Sequence, residues 1–247
     1  MLDWWASYAD LDSILVVHGG RRADFEGLAH PHKAFVDDPR FVTPEHQRNK
    51  QTHAPVLRAA ARWLAPRDFE HVLYAEYDQV PVAPGLISSY ERRLDQENAD
   101  LLAMHLRRVD ATSYPHFLYH VQDRAFMEYW RQVSVREDKG VILSMLGAGS
   151  FWRRRCFDAV ARTEERVPVY TELFVPTLAH HLGFRVRGIP DQSPWNTPLG
   201  ERGEELQTAA ASGAWTVHPV KTLWSGSAGR RRSLRDRLRG RLVRGAS

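Results

Sequence analysis

Short runs of consecutive apolar residues, each stopped by a turn, alternate with segments of helical periodicity. No other feature restricts the fold of this chain as strongly. Ser13-Ile14-Leu15-Val16-Val17-His18 ends in Gly19-Gly20, and Lys33-Ala34-Phe35-Val36 ends in Asp37-Asp38-Pro39. His71-Val72-Leu73-Tyr74-Ala75 ends in Glu76-Tyr77-Asp78, and Asp100 to Leu106 forms a fourth such run. A strand covered on both faces is apolar along its whole length, as these are. Between them, Val56, Leu57, Ala60, Ala61 and Leu64 recur at helical spacing, with Pro66 as the stop. Leu86, Ile87, Tyr90 and Leu94 share one face of a helix expected over Gly85 to Asn98. Strands alternating with helices predict an α/β domain built on a central, mostly parallel sheet flanked by helices.

Past residue 110 the periodicity loosens. Arg107 to Glu137 is aromatic-rich and fits neither period. Val141 to Met145 reads as a strand leading into Gly147-Ala148-Gly149, and Cys156 to Thr163 as a helix. Thr171 to Leu182 reads as a helix stopped by Gly183, and Phe184 to Ile189 as a strand closed by Pro190. Pro194 to Ser212 is polar, a loop with a short helix. No internal repeat is present. One domain over residues 1–224 and a basic tail over 225–247 follow.

Charge is unevenly divided. The last 27 of the 247 residues hold Lys221 and eight arginines against one acid, Asp236. Removing that +8 from the total of +4 leaves the body at −4, so the basic character belongs to the tail. Leu234, Leu238 and Leu242 recur every four residues among its arginines. The segment reads either as an amphipathic helix resting on an anionic membrane surface or as a solvated, disordered tail. A tail-driven nucleic-acid-binding module calls for a basic body, so no nucleic-acid partner is expected. No apolar run reaches the roughly 20 residues that span a bilayer. The start, Met1-Leu2-Asp3-Trp4-Trp5, carries an acid where a secretory signal carries bases. The lone Cys156 can form neither an internal disulfide nor a cysteine-rich zinc site and reads as a small buried hydrophobe. A cytoplasmic protein is expected, with possible membrane association at the inner face through the tail.

Two of the predicted strands end in acids, where ligands of open α/β sheets bind. In extended backbone, residues two apart point the same way, so Glu76 and Asp78 can converge on one point. Two carboxylates there suit Mn²⁺ or Mg²⁺, cations that bridge to substrate phosphates. The bland alternative is a solvated strand end.

Val72-Leu73-Tyr74-Ala75-Glu76-Tyr77-Asp78-Gln79 resembles the strand and acidic triplet of glycosyltransferases of the GT-A fold (family-2-like), whose usual motif is Asp-x-Asp. Further segments match in order. Ile14 to Gly20 resembles the first nucleotide-binding strand and its loop. Val36-Asp37-Asp38 resembles the second strand with its terminal acid. Arg48-Asn49-Lys50 and the helix to Leu64 stand where the family has its helix before the acidic strand. Leu146 to Arg153 resembles the glycine-containing segment near the sugars, Tyr170 to Val186 the segment with the catalytic acid, and Thr216-Val217-His218-Pro219 the late histidine of the metal site. Two departures stand out: the triplet opens with Glu instead of Asp, and Glu172 is a single acid where many members have Glu-Asp.

The resemblance implies a Rossmann-like GT-A domain and a metal-assisted transfer of a sugar from a nucleotide diphosphate donor, most often a UDP-sugar, to a hydroxyl of a sugar or glycan acceptor. It implies Asp78 and His218 as ligands of Mn²⁺ or Mg²⁺, and His18, Gly19, Asp37, Asp38, Glu76, Gly147 and Gly149 around the nucleotide-sugar. It implies Glu172 as the catalytic base. Each has a plain counterpart: His218 as a surface histidine, Glu172 as a carboxylate on a helix dipole, Asp-Asp-Pro as an ordinary turn, and the glycines as a turn before a helix. Trp152, Tyr114, Phe117, Tyr119 and Trp195 are either core or a stacking surface for the acceptor. His180-His181 reads as structural. A sugar-phosphate nucleotidyltransferase on a related sheet is the alternative enzyme, echoed faintly by Gly19-Gly20-Arg21-Arg22.

Overall fold

The computed structural model describes residues 2–164, 167, 169–198, 200–223 and 232–233. In chain order the elements are α1 (Leu2–Tyr8), β1 (Val16–His18), α2 (Arg22–Glu26), β2 (Lys33–Phe35), α3 (His46–Asn49), α4 (His53–Leu64), β3 (His71–Tyr74), β4 (Val80–Pro81) and α5 (Leu86–Gln96). There follow β5 (Leu101–Ala103), β6 (Arg107–Arg108), α6 (Pro115–Gln122), α7 (Arg124–Val133), β7 (Leu143–Ser144), β8 (Ser150–Arg153) and α8 (Arg154–Arg162). The chain continues through α9 (Thr171–His181), β9 (Val186–Gly188), α10 (Leu206–Ala211), β10 (Thr216–Val217), β11 (Thr222–Leu223) and β12 (Arg232–Ser233). The tail from Arg230 to Arg244, apart from the short β12, lies outside the described residues, as does its expected helix.

The central sheet has the order β3-β8-β5-β9. Here the structure corrects the expectation of a mostly parallel sheet. β3 and β5 both pair antiparallel with β8, and only β5 with β9 is parallel. β3, β5 and β9 therefore share one direction, and β8 runs back between β3 and β5. Its reversal follows from the turn at Gly147–Gly149, which sends the chain back into the sheet. Ser150-Phe151-Trp152-Arg153 is only four residues long and passes directly into α8. β1 pairs parallel with β2, and β4 antiparallel with β10, as separate two-stranded sheets.

Both faces of the central sheet are covered, which is why β3 and β5 read as unbroken apolar runs. Leu101 and Ala103 of β5, Trp152 of β8 and Val186 of β9 pack on one side with α4, α7, α8 and α9. Leu102 and Phe151 point to the opposite side, against Trp5 of α1 and Leu86, Tyr90 and Leu94 of α5. The period of two within each strand thus separates two cores. Burying a leucine such as Leu101 or Leu102 completely contributes about 2 kcal/mol. A third cluster, Val80, Val82, Ala209, Ala214, Val217 and Val220, holds β4 and β10 together.

The aromatic stretch after residue 110 resolves into α6 and α7. Asp123 caps α7 by accepting from Ala125 N–H at 2.8 Å. Phe126, Tyr129 and Trp130 then face the first core. Of the histidine pair at the end of α9, His181 is part of the packing. His181 is buried, with its ring nitrogens 2.8 Å from Ser134 Oγ and from the Val141 carbonyl. Burial pushes its imidazole down to about 4. Cys156 is fully buried.

Candidate metal centre

The acidic triplet does not sit in extended backbone. Gln79 N–H donates to the Glu76 carbonyl at 3.1 Å, so residues 76–79 form a tight turn between β3 and β4. The turn, instead of a strand's pleat, brings Glu76 and Asp78 to the same side. Val220 N–H donates to the Asp78 carbonyl at 2.7 Å, and β4 pairs with β10 through Val80–Val217 and Pro81–Thr216. This pairing delivers His218, 140 positions further along the chain, to the triplet.

Ligand atoms of Glu76, Asp78 and His218 all lie within 4.8 Å of one another. His218 Nε2 is 3.3 Å from Asp78 Oδ1 and 3.5 Å from Glu76 Oε2. The other ring nitrogen, Nδ1, is 2.8 Å from the Thr197 carbonyl. A carbonyl only accepts, so Nδ1 carries the hydrogen and Nε2 is turned toward the carboxylates. An imidazole anchored in this way is oriented as metal-ligating histidines are. Asp78 is 7% exposed at its side chain, and its Oδ1 is buried without a hydrogen-bond partner. Glu76, at 41%, opens the cluster to solvent.

Burial works against the His218 imidazolium, but the Asp78 and Glu76 carboxylates outweigh it and carry the group up to about 9. At neutral pH a proton on His218 therefore compensates the two carboxylates. One imidazole nitrogen and two carboxylates are a donor set that could hold a divalent cation such as Mn²⁺. Asp78 Oδ1, buried and facing His218 Nε2 at 3.3 Å without hydrogen-bond geometry, fits that role.

Behind the cluster lies a polar core of Gln79, Asn196 and Thr216, all fully buried. Gln79 Nε2 donates to Thr216 Oγ1 at 2.9 Å, and Asn196 Nδ2 donates to the Thr216 carbonyl at 2.9 Å. Trp5 Nε1 donates to the Gln79 carbonyl at 3.2 Å, so α1 clamps the same turn from outside.

Glu172 stands on the far side of Gly147. A Cβ added at Gly147 would lie 2.9 Å from Glu76 Oε1 and 3.8 Å from Glu172 Cγ, so both carboxylates crowd this glycine. Glu172 is held by its backbone. Pro176, inside α9, has no N–H to give to the carbonyl four residues earlier. The Glu172 carbonyl accepts from Met145 N–H instead, at 2.9 Å. Its Oε1 is 3.3 Å from Lys50 Nζ, and its Oε2 is buried without a partner.

The remaining site residues expected from sequence lie elsewhere in the fold. Asp38 caps the short 3-10 turn Pro39–Phe41, accepting from Arg40 N at 2.9 Å and from Arg40 Nη2 at 2.8 Å. Those bonds to Arg40 hold its carboxyl below the usual range. Asp37 is exposed. His18 packs its ring near Phe25 and Phe35, with Nδ1 buried and unpartnered, and Gly19 leaves room for the Phe41 ring. Gly149, at φ +76°, gives its N–H to the Tyr74 carbonyl, and its Cα faces the Gln79 side chain and Met104. Gly149 thus shapes the turn into β8, whereas Gly147 faces the carboxylates. Of the aromatic candidates, Trp152 and Phe117 are core, Trp195 packs on the β4–β10 cluster, and Tyr114 and Tyr119 are exposed.

Three contributors have no counterpart among the expected site residues: Lys50, Thr197 and the Gln79–Asn196–Thr216 core. Of the features that place Glu172, only Pro176 within a helical stretch leaves a mark in the sequence. Two shallow grooves, of about 380 and 700 Å³, lie away from this cluster at the opposite ends of β3 and β5. In them Asp100 is paired with Arg155 and Arg185, and Asp158 with Arg154.

The fold and this cluster define a mixed α/β protein with a candidate carboxylate–histidine metal centre. No protein-family model matches the chain, and no curated protein matches it either. No helix among the described residues is long and apolar enough to cross a membrane.

Proposed function

We propose that this protein is a metal-dependent glycosyltransferase that moves a sugar from a nucleotide diphosphate donor, a UDP-sugar in the first instance, to an acceptor hydroxyl. The observation that carries the reading is the meeting of Glu76, Asp78 and His218 just beyond the end of β3, with the buried Oδ1 of Asp78 3.3 Å from His218 Nε2 and outside hydrogen-bond geometry. A divalent cation held there would supply positive charge to a departing diphosphate. Asp78 and His218 would hold it directly. Glu76, nearer solvent, would complete the set or hold a ribose hydroxyl.

Glu172 supports the same reading from the other side of Gly147. Glycosyl transfer to a hydroxyl needs a base within reach of the attacking oxygen. Glu172 Oε1 borders the space beside Gly147, on a residue whose carbonyl is held by Met145 N–H, and Oε2 is a buried acceptor with no donor. An acceptor hydroxyl in that space would donate to Oε1 and pass its proton to it. Gly147 keeps the gap between the carboxylates open, because any side chain would enter it.

Isothermal titration with Mn²⁺, followed by UDP, GDP and ADP in its presence, tests the proposal. Saturable Mn²⁺ binding that strengthens one nucleoside diphosphate at least tenfold is expected. Nucleotide affinities indifferent to Mn²⁺, or no nucleotide binding at all, would overturn it.

A further inference from the structure

Lys50, which pairs with Glu172, belongs to a segment whose backbone is pinned while its ammonium is partly exposed. The Lys50 carbonyl accepts from Thr171 N at 3.2 Å and Thr171 Oγ1 at 3.1 Å. Next to it, Arg40 Nη1 donates to the Gln51 carbonyl at 2.6 Å, and Asn49 Nδ2 reaches the Arg40 and Phe41 carbonyls at 3.3 Å. The backbone is therefore anchored on both sides, and only the side chain is free to move. That side chain is 38% exposed, and its 3.3 Å contact with Glu172 is a single, non-bidentate ion pair. Pairs of this kind are weak, because water competes for both partners.

The charges around Gly147 are unbalanced in a telling way. Glu76 and Glu172 border the gap, Asp78 clusters with Glu76, and Lys50 pairs with Glu172. A divalent cation held by Asp78 and His218 would supply positive charge on one side of the gap, and Lys50 supplies it on the other. A diphosphate then brings two or more negative charges, and an ammonium binds a phosphate oxygen as readily as a carboxylate.

We propose that Lys50 is a phosphate-binding residue held in reserve by Glu172: an entering diphosphate takes the ammonium, and Glu172 Oε1 is released. The proposal rests on the glycosyltransferase reading and adds order to it. Glu172 becomes a free carboxylate only once the donor is seated, so base and leaving group are readied together. No bond is made or broken in the exchange; one ion pair replaces another.

The test is a double-mutant cycle read by titration of inorganic pyrophosphate in saturating Mn²⁺, a probe that needs neither sugar nor nucleobase. K50M weakens binding about tenfold, and K50R stays within about threefold of wild type. E172Q tightens binding about threefold, because Lys50 no longer has a competing partner. K50M/E172Q matches K50M. A structural role for Lys50 does not produce the tightening in E172Q, and Mn²⁺ affinity, which Lys50 does not contact, reports that each variant is folded. Wild-type affinity in K50M overturns the assignment, as does E172Q tightening that persists in the K50M background. Wild-type protein that takes up no Mn²⁺ overturns the proposed function instead, and the same four proteins titrated with metal-free pyrophosphate then still read the Lys50 exchange.

Discussion

Two pairs of acids end two strands of this protein, and they have opposite fates. Asp37-Asp38 follows β2, and Asp38 finds Arg40 two residues away. Its carboxylate is satisfied locally, with the side chain 16% exposed, and it behaves as a cap. Glu76 and Asp78 follow β3 and find no local base. Their counterpart is His218, brought by the β4–β10 pairing. What separates a cap from a candidate ligand is whether the carboxylate's demand for hydrogens is met nearby. Both Asp38 oxygens accept hydrogen bonds from Arg40, whereas the buried Oδ1 of Asp78 meets His218 Nε2 at 3.3 Å without hydrogen-bond geometry.

The sharpest way to break this comparison is to remove each charge in turn. Asp78→Asn should abolish Mn²⁺ binding, by about 100-fold or more in titration. Asp38→Asn should leave Mn²⁺ affinity within about twofold of wild type. Equal losses in the two variants would erase the distinction.

Next in size is the dependence on pH. The metal-free His218 imidazole titrates at about 9, so Mn²⁺ must displace a proton at neutral pH. Apparent Mn²⁺ affinity should therefore rise about tenfold per pH unit from 7 toward 9 and flatten above it. The metal-free protein moves the other way. A folded-state value raised above the usual 6.5 contributes stability in full below 6.5, and that contribution is lost as pH rises through 9. Melting of metal-free protein at pH 6.5 and 9.5 reads this directly, and a pH-independent Mn²⁺ affinity would contradict the proton on His218.

The smallest effect belongs to Asp38. Asp38→Asn keeps a capping oxygen but loses the ion pair with Arg40, which should cost about 1 kcal/mol in urea unfolding at pH 7. Because its carboxyl is depressed in the folded state, its contribution is present above the ordinary carboxylate range and lost as pH falls through the folded value. The wild-type advantage should then shrink on acidification, and an advantage unchanged at low pH would mean that charge is not its source.

Sequence resolved the parts of this fold that local periodicity controls. The apolar runs of β3 and β5 and the helical faces of α4, α5 and α9 lie within a few residues of their expected positions, because burial on both sheet faces writes itself into consecutive residues. β8 was hidden, since Ser150-Phe151-Trp152-Arg153 carries no strand signal of its own and becomes a strand only because β3 and β5 flank it. The same limit applies at the site. Glu76 and Asp78 can be singled out by their place after a strand, but their convergence depends on a turn at 76–79 that i, i+2 reasoning does not foresee. Asp38 looked like Asp78 until Arg40 folded back on it. The Thr197 carbonyl that orients His218 leaves no trace in residue type, because any residue supplies a carbonyl. Lys50 and Glu172 meet across 122 positions, a distance that only tertiary structure closes.

The account stands on a divalent cation occupying the space among Glu76, Asp78 and His218. Anomalous diffraction from crystals soaked in Mn²⁺, with data on both sides of the manganese absorption edge, addresses it directly. A single strong peak within bonding distance of Asp78 Oδ1 and His218 Nε2 is the predicted result. A peak elsewhere, or His218 still paired with the two carboxylates and no peak at saturating Mn²⁺, would contradict it.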